Sequence, residues 1–441
     1  MGKNWRWVLF LGLFVPCLGS TAASAATSIV LGQAVVSLDG PWKFHTGDDA
    51  RWAAPAFDDS GWEDMDLHAS PDANDGDVGI VPYTAGWGTK GHPDYHGYAW
   101  YRFRFTVNAP ADGTIALLGP WAVDSVYQVY ANGTLLGGVG DFSDTTPVAH
   151  GTHYPKFFAL PPAMANGGPM VLAIRVWSGT WTGADGGGIH VAPAVGEREA
   201  VFARYRLQWL KIFEGYAVDA VPALLFVLMA LLALCLWPFE RGARASGWLA
   251  AALLLSGIQR GNQAFFFWWQ IETIQEFVYV ITVLVGSLSL GVWVMAWWAW
   301  FKVERPLWLP RVVAALTLAL IVVQALAYSR VLGSISLPHW ASMGLHDLIQ
   351  GLRWAFLLAF ALTVYQGVRS RGREGWYALP ATLAIGAVIF SGELSALHVP
   401  GIWFPYGVGV SLSEYMSVVF DVLLFGLLLR RLWKRRPDTV I

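Results

Sequence analysis

"FVYVITVLVGSLSLGVWVMAWWAWF", Phe277 to Phe301, carries no charged side chain. At a rise of about 1.5 Å per residue it exceeds what a hydrocarbon core of roughly 30 Å requires, so it reads as a membrane-crossing helix. Six further apolar runs surround it: Tyr216 to Trp237, Gly247 to Trp269, Val312 to Tyr328, Leu345 to Val368, Trp376 to Leu397 and Val408 to Leu429. Together they predict an all-α, seven-helix transmembrane bundle over residues 216–436, with Val312 to Tyr328 the tightest fit to the membrane.

The connections alternate in charge. Arg241 and Arg244, then Lys302, Arg305 and Arg311, then Arg369, Arg371 and Arg373, and finally Arg430, Arg431, Lys434, Arg435 and Arg436 fall in every second connection or in the tail. Basic connections are held on the cytoplasmic side. The expected orientation therefore puts everything before Tyr216 outside and the short tail, residues 437–441, in the cytoplasm.

Composition averages two regions. The 441 residues are 55% apolar and 14% charged with 25 tryptophans, too apolar for a soluble chain, yet the first 200 are rich in Gly, Asp and Trp. No basic field exists outside the membrane connections, so nucleic acid is excluded as a partner and the lipid bilayer is expected. Cys17 and Cys235 both fall in apolar segments, which leaves no disulfide or thiolate site for the exported region.

Residues 1–25 read as a secretory signal peptide. Lys3 and Arg6 precede an apolar stretch from Trp7 to Leu18, and Ala23-Ser24-Ala25 supplies a cleavage pattern. Residues 27–194 then change to short strands punctuated by turn residues. In "YRFRFTV", Tyr101, Phe103, Phe105 and Val107 alternate with Arg102, Arg104 and Thr106, predicting a half-buried antiparallel strand with the arginines on its polar face. Asn132-Gly133 between two β-prone runs predicts a hairpin turn with positive φ at both residues. Such a series of strands predicts a β-sandwich of jelly-roll type. Residues 195–215 read as an amphipathic connector helix entering the bilayer.

"LDGPWKF" (Leu38 to Phe44), "WAAPAFDDSGW" (Trp52 to Trp62), "YAWYRFRFTV" (Tyr98 to Val107), "GPWAVDSVYQVYANGTLLGG" (from Gly119), "VLAIRVW" (ending at Trp177) and "GGGI" (Gly186 to Ile189) stand in an order and spacing that resemble the sugar-binding, galactose-binding-like jelly roll at the N-terminus of family 2 glycosidases. Joined to seven helices, the arrangement resembles the bacterial seven-transmembrane receptors with diverse intracellular signalling modules. The resemblance implies a bacterial inner-membrane protein with a periplasmic domain that takes a carbohydrate or cell-envelope ligand. Members of that family continue into an enzymatic module, whereas only "PDTVI" follows Arg436, so the expectation is a non-enzymatic sensor. It would serve either as part of a longer signalling protein or with a separate cytoplasmic signalling partner.

Site candidates follow from chemistry. Sugars stack flat CH faces on indole rings, and Trp87, Trp121 and Trp181 lie in Gly-rich loops, with Asp185 near Trp181 as a hydroxyl acceptor. Within the apolar runs, Arg260, Arg353, Glu393, Glu414 and Asp421 are intramembrane charges, costly unless paired or hydrated, and so candidates for a polar relay cluster. Ser256, Gln259 and Gln263 share a helical face with Arg260, and His346 and Gln350 share one with Arg353. Asp58, Asp59, Glu63, Asp64 and Asp66 invite a glycosidase reading, but in the resembled module this segment is structural and the catalytic acids belong to a separate barrel, so no catalytic residue is assigned. "DANDGDVGI" (Asp72 to Ile80) lacks EF-hand spacing; no cofactor is expected, although jelly rolls of this type sometimes hold a structural calcium elsewhere. No lysine lies in any of the seven runs, so there is no Schiff-base site for retinal. Two other classes stay open: a non-signalling, membrane-anchored saccharide-binding or accessory scaffold protein, and a transporter.

Overall fold

The structure is a computed structural model. It describes residues 27–30 (backbone), 35–69, 83–108, 114–143, 146–150, 154–161, 164, 166–179, 186–239, 245–328, 339–399, 402 and 411–433. The signal peptide, the Asp72 to Ile80 segment, Trp181, Asp185 and the tail lie outside the described residues.

The strands are β1 (Thr27–Val30), β2 (Val35–Ser37), β3 (Trp42–Thr46), β4 (Glu63–Met65), β5 (Gly97–Asn108), β6 (Ile115–Leu118), β7 (Val123–Asp124), β8 (Val126–Ala131), β9 (Thr134–Val139), β10 (Phe157–Ala159), β11 (Asn166–Ser178), β12 (Gly188–Ile189) and β13 (Ala194–Glu197). One sheet is ordered β4-β3-β5-β11-β8-β9, with β1 parallel to the far half of β5, and a second is ordered β10-β6-β13-β2. Tyr101, Phe103, Phe105 and Val107 of β5 pack in one core with Ile115 and Leu117 of β6 and Val195 of β13. Apolar faces of two sheets closing on each other make this region a β-sandwich.

The other face of β5 departs from expectation. Arg102 is 1% exposed, because the segment from Trp52 to Trp62 folds back over it and packs Trp52, Phe57 and Trp62 against Trp100 and Tyr130. Arg102 Nε donates to Asp59 Oδ2 at 2.7 Å, and its two terminal nitrogens donate to the carbonyls of Trp52 and Ala54. The strand is thus covered on both faces at Arg102, while Arg104 on the same face stays exposed as expected, and the buried cation is tolerated because its N–H groups meet acceptors. The hairpin is as expected: Asn132 and Gly133 sit at φ 46° and 82° between paired β8 and β9.

The remainder is mostly helical. Its helices are α1 (Arg198–Leu236), α2 (Ala245–Trp269), α3 (Ile274–Phe277), α4 (Ser287–Trp300), α5 (Leu309–Ala327), α6 (His339–Arg371), α7 (Arg373–Ile389), α8 (Ser391–Ala396) and α9 (Leu412–Trp433). A π-helical stretch, Val278–Gly286, fuses α3 to α4. Among the described residues five helices are long and apolar enough to cross a membrane: α1, the fused Ile274–Trp300, α5, α6 from Met343, and α9. The chain is a multi-pass membrane protein. The run Trp376 to Leu397 is divided at Phe390, whose φ −112° and ψ 28° end α7 and start α8.

Residues expected to form a connector and a first span are one helix. At 39 residues, α1 is roughly 58 Å long and starts on the residue after β13. Its first turns lie on the sandwich, with Val201 against Ala116 and Ala194, and Ile212 and Tyr216 against Trp121, Val191 and Ala264 of α2. Phe266 and Ile274 meet Val126, Ala149 and Trp177, and Ile274 N donates to Ala149 O at 3.0 Å. The sandwich is therefore seated on one end of the bundle. Deeper in, Gly257 and Gly261 face Ala223 of α1, a one-turn spacing of small residues that lets two helices approach closely.

Candidate functional site

Just beyond this seat the bundle encloses a cavity of about 400 Å³. Helices α1, α2, α6 and α9 each bring a charged side chain to its wall: Asp219, Arg260, Arg353 and Glu414. Arg260 Nη1 donates to both oxygens of Glu414, at 2.8 and 2.7 Å, and to Asp219 Oδ1 at 3.1 Å. Arg353 donates from Nε and Nη2 to the two oxygens of Glu393, at 2.5 and 3.0 Å, a bidentate pair. Its Nη2 also reaches Ile389 O at 3.4 Å, a carbonyl beside the break between α7 and α8. Glu393 is 1% exposed.

Four of the five intramembrane residues singled out by charge thus form two ion pairs at one cavity. Asp421 does not join them. It lies two turns along α9 from Glu414, 5% exposed, and neither carboxylate oxygen has a hydrogen-bond partner among the described residues. Asp219 was missed by sequence reading, although it is the single charged residue in Tyr216 to Trp237, and the rule that flagged the others applies to it equally. Ser256, Gln259 and Gln263 line the cavity as their shared face implies, whereas His346 and Gln350 are exposed away from it. The rest of the polar wall comes from Ser289, Ser391, Ser411 and Ser413.

Two of the three loop tryptophans, Trp87 and Trp121, are buried, and Trp181 lies outside the described residues. Trp87 is 1% exposed and donates from Nε1 to Tyr95 O at 3.1 Å. Gly187 and Gly188 fold over its ring at φ 92° and 90°, and a Cβ on Gly187 would lie 2.3 Å from the indole nitrogen. That glycine run serves to bury an aromatic ring. Trp121 is 4% exposed because α1 and α2 cover the end of the sandwich where it lies. Neither ring offers a free face to a sugar, so both are corrected to core and seat residues.

Beside Trp121, His190 joins separate segments of the seat. Its Nε2 lies 2.8 Å from Asp124 Oδ2 and its Nδ1 2.9 Å from Thr84 O, with Tyr83 stacked on the ring. Among the described residues no group of three or more His, Cys, Asp or Glu could hold a metal ion.

Arg260 and Arg353 both line the same polar cavity, each already paired with an acid. Asp219 and Glu414 share Arg260 from different helices, so a shift of α1 against α9 changes which acid holds it.

No protein-family model matches the chain, and no curated protein matches it. Among solved structures, a β-glucuronidase from Bacteroides uniformis is similar over 36% of this chain and 17% of its own, at 23% identity and a TM-score of 0.27. A glycosyl hydrolase family 2 member from Bacteroides cellulosilyticus is similar over 37% and 20%, at 20% identity and a TM-score of 0.25. A Bifidobacterium dentium β-glucuronidase complexed with coumarin-3-O-glucuronide is similar over 37% and 30%, at 18% identity and a TM-score of 0.25. The chain spans at most 30% of the length of these three.

Proposed function

We propose that the chain is a membrane receptor in which ligand capture by the β-sandwich is relayed through α1 to the ion pairs inside the bundle. One observation carries this reading. A single helix leaves the last strand, is wedged between the sandwich and α2, and delivers Asp219 to Arg260 at the cavity. A helix bends little over such a distance, so a tilt at Ile212 and Tyr216 moves Asp219 as well. Binding then acts by favouring one of two arrangements of the same helices.

The alternating basic connections support seven spans, a periplasmic sandwich and a cytoplasmic C-terminal end in a bacterial inner membrane. The sequence motifs shared with the sugar-binding jelly roll favour a carbohydrate or cell-envelope ligand, with Trp181 and Asp185 as its candidate contacts. Output passes to a cytoplasmic partner or module.

The test uses the full chain in lipid nanodiscs, titrated with peptidoglycan fragments and oligosaccharides. A ligand should raise the unfolding midpoint and alter amide exchange both in the sandwich and around Glu414. Protection confined to the sandwich would instead identify a saccharide-binding accessory protein. Uptake of the labelled ligand by proteoliposomes would identify a transporter.

A further inference from the structure

At the end of the bundle away from the sandwich, a second cavity of about 210 Å³ opens where the ends of α4 and α9 meet the turn between α6 and α7. Lys302, Arg371, Arg430 and Arg431 line it, opposed by one carboxylate, Glu374. Positive charge near membrane helix ends is ordinary; convergence of four cations from three distant parts of the chain on one concavity is more specific.

Two of the arginines are fixed there. Arg371 donates from Nε to Phe301 O at 2.6 Å and from Nη2 to Lys302 O at 3.0 Å, closing off the end of α4. Arg431 lies over the Trp300 ring, 3.3 Å from its centroid. Hydrogen bonds to carbonyls orient these guanidinium groups without cancelling their charge. The other two are held more loosely. Arg430 stacks on Tyr377 and reaches Glu374 only at 3.4 Å, and the Lys302 side chain is exposed. The groove holds four cations against one acid, and the Lys302 side chain has no acidic partner among the described residues.

The ligand's chemistry follows from charge and level. A compact oxyanion suits several converging N–H donors. Around the same end, Trp308, Trp376, Tyr377 and Trp433 are 52%, 63%, 52% and 79% exposed, the amphipathic aromatics that settle at lipid headgroup depth. We propose that this groove binds the phosphate of an anionic phospholipid headgroup and thereby clamps the ends of α4, α6–α7 and α9 together.

The test is the thermal midpoint of the full chain in mixed micelles containing phosphatidylglycerol, phosphatidylcholine or inorganic phosphate. Phosphatidylglycerol should raise the midpoint saturably, by about 3 °C over phosphatidylcholine. The double variant Lys302→Gln/Arg430→Gln should lose most of that rise while keeping its midpoint in phosphatidylcholine. Arg369→Gln/Arg373→Gln, which removes equal charge from outside the groove, should keep the rise. Equal midpoints in the two lipids, or a rise unchanged in the first variant or lost equally in the second, would overturn the proposal. A rise of the same size with inorganic phosphate would reassign the groove to a soluble anion.

Discussion

Two buried arginines, one in the sandwich and one in the bundle, solve the same problem differently. Arg102 is sealed: Asp59 and two carbonyls take its N–H groups, and aromatic rings close over it. Burial pulls its guanidinium below the ordinary value while the Asp59 hydrogen bond opposes the shift. Arg260 is held by two acids from two helices and borders a cavity of about 400 Å³. One arrangement has a single state: among the described residues Arg102 meets one acid, Asp59, which Arg104 also contacts at 3.1 Å, and close-packed rings leave no room to move. The other has room and a spare acceptor, which is what a switch requires and a clamp does not. Burial of a charge is thus shared by both; open polar space beside it separates structure from candidate function.

The largest effect expected is at the sealed site. Arg102→Ala removes the shorter of the two guanidinium contacts to buried Asp59, leaving Arg104 Nη2 at 3.1 Å, and takes the donors from the Trp52 and Ala54 carbonyls, so it should destabilise the sandwich by about 3–5 kcal/mol. Limited proteolysis and loss of the cooperative unfolding transition would show it, and Arg102→Lys should recover little, since an ammonium cannot reach all three acceptors. If Arg102→Ala folds with an unchanged midpoint, the sealed pair is not the clamp described here.

The bundle sharpens the contrast within itself. Among the described residues Glu393 is the one acid paired with Arg353, whereas Glu414 shares Arg260 with Asp219. Glu393→Gln should therefore cost about 3 kcal/mol, and Glu414→Gln no more than about 1 kcal/mol, because Asp219 retains the charge pair. Thermal midpoints in one lipid composition decide this. Equal losses would mean that Asp219 and Glu414 act as one unit. A ligand response abolished in Glu414→Gln despite near-normal stability is the outcome the receptor reading requires.

Packing around α1 comes next. A Cβ on Gly257 would lie 3.2 Å from Ala223 O and 3.2 Å from Val227 Cγ2, so Gly257→Leu should force α1 and α2 apart at a cost of about 1–3 kcal/mol. The seat is held by separate contacts at Trp121 and Ile274, so the sandwich should fold normally in this variant while coupling to the cavity weakens. Amide exchange measured in both regions would separate the two effects.

Much of this architecture was legible in the residues because apolar length and period-two alternation are local signals. The runs, the β5 alternation and the Asn132-Gly133 turn needed no knowledge of the fold. What failed was non-local. Nothing within "YRFRFTV" says that residues 52–62 return across its arginines, and nothing near Trp121 says that α1 covers it. Gly-rich surroundings suggested exposed tryptophans, but at Trp87 the missing side chains are what allow the chain to close on the ring. The acids and arginines of the bundle were visible because charge is rare there, yet their pairing depended on helix contacts that no single run encodes. Asp219 was overlooked although the same rarity marked it.

The smallest effect belongs to an exposed pair, and it tests whether exposure or pairing sets the scale. His68 Nδ1 lies 2.6 Å from Asp66 Oδ1, as short as many buried contacts, yet the two side chains are 64% and 66% exposed. The hydrogen bond to Asp66 raises the His68 pKa above its ordinary value, while the His68 backbone N–H, more than its ring, lowers that of Asp66. The raised histidine contributes stability below about pH 6.5 that is lost as pH rises through its folded-state pKa. The lowered aspartate contributes above about pH 4 and loses that contribution as pH falls. The pair is therefore worth most between about pH 4 and 6.5. Solvent screening holds its value to a few tenths of a kcal/mol. The sandwich midpoint should fall by less than about 1 °C from pH 6 to pH 8, and both 0.5 M salt and His68→Gln should flatten that slope. The same salt should leave the penalty of Arg102→Ala unchanged, because the Arg102 side chain is fully buried. A salt-sensitive penalty at Arg102 would place water where the structure places aromatic rings, and the distinction between sealed and exposed charge would fail at its strongest point.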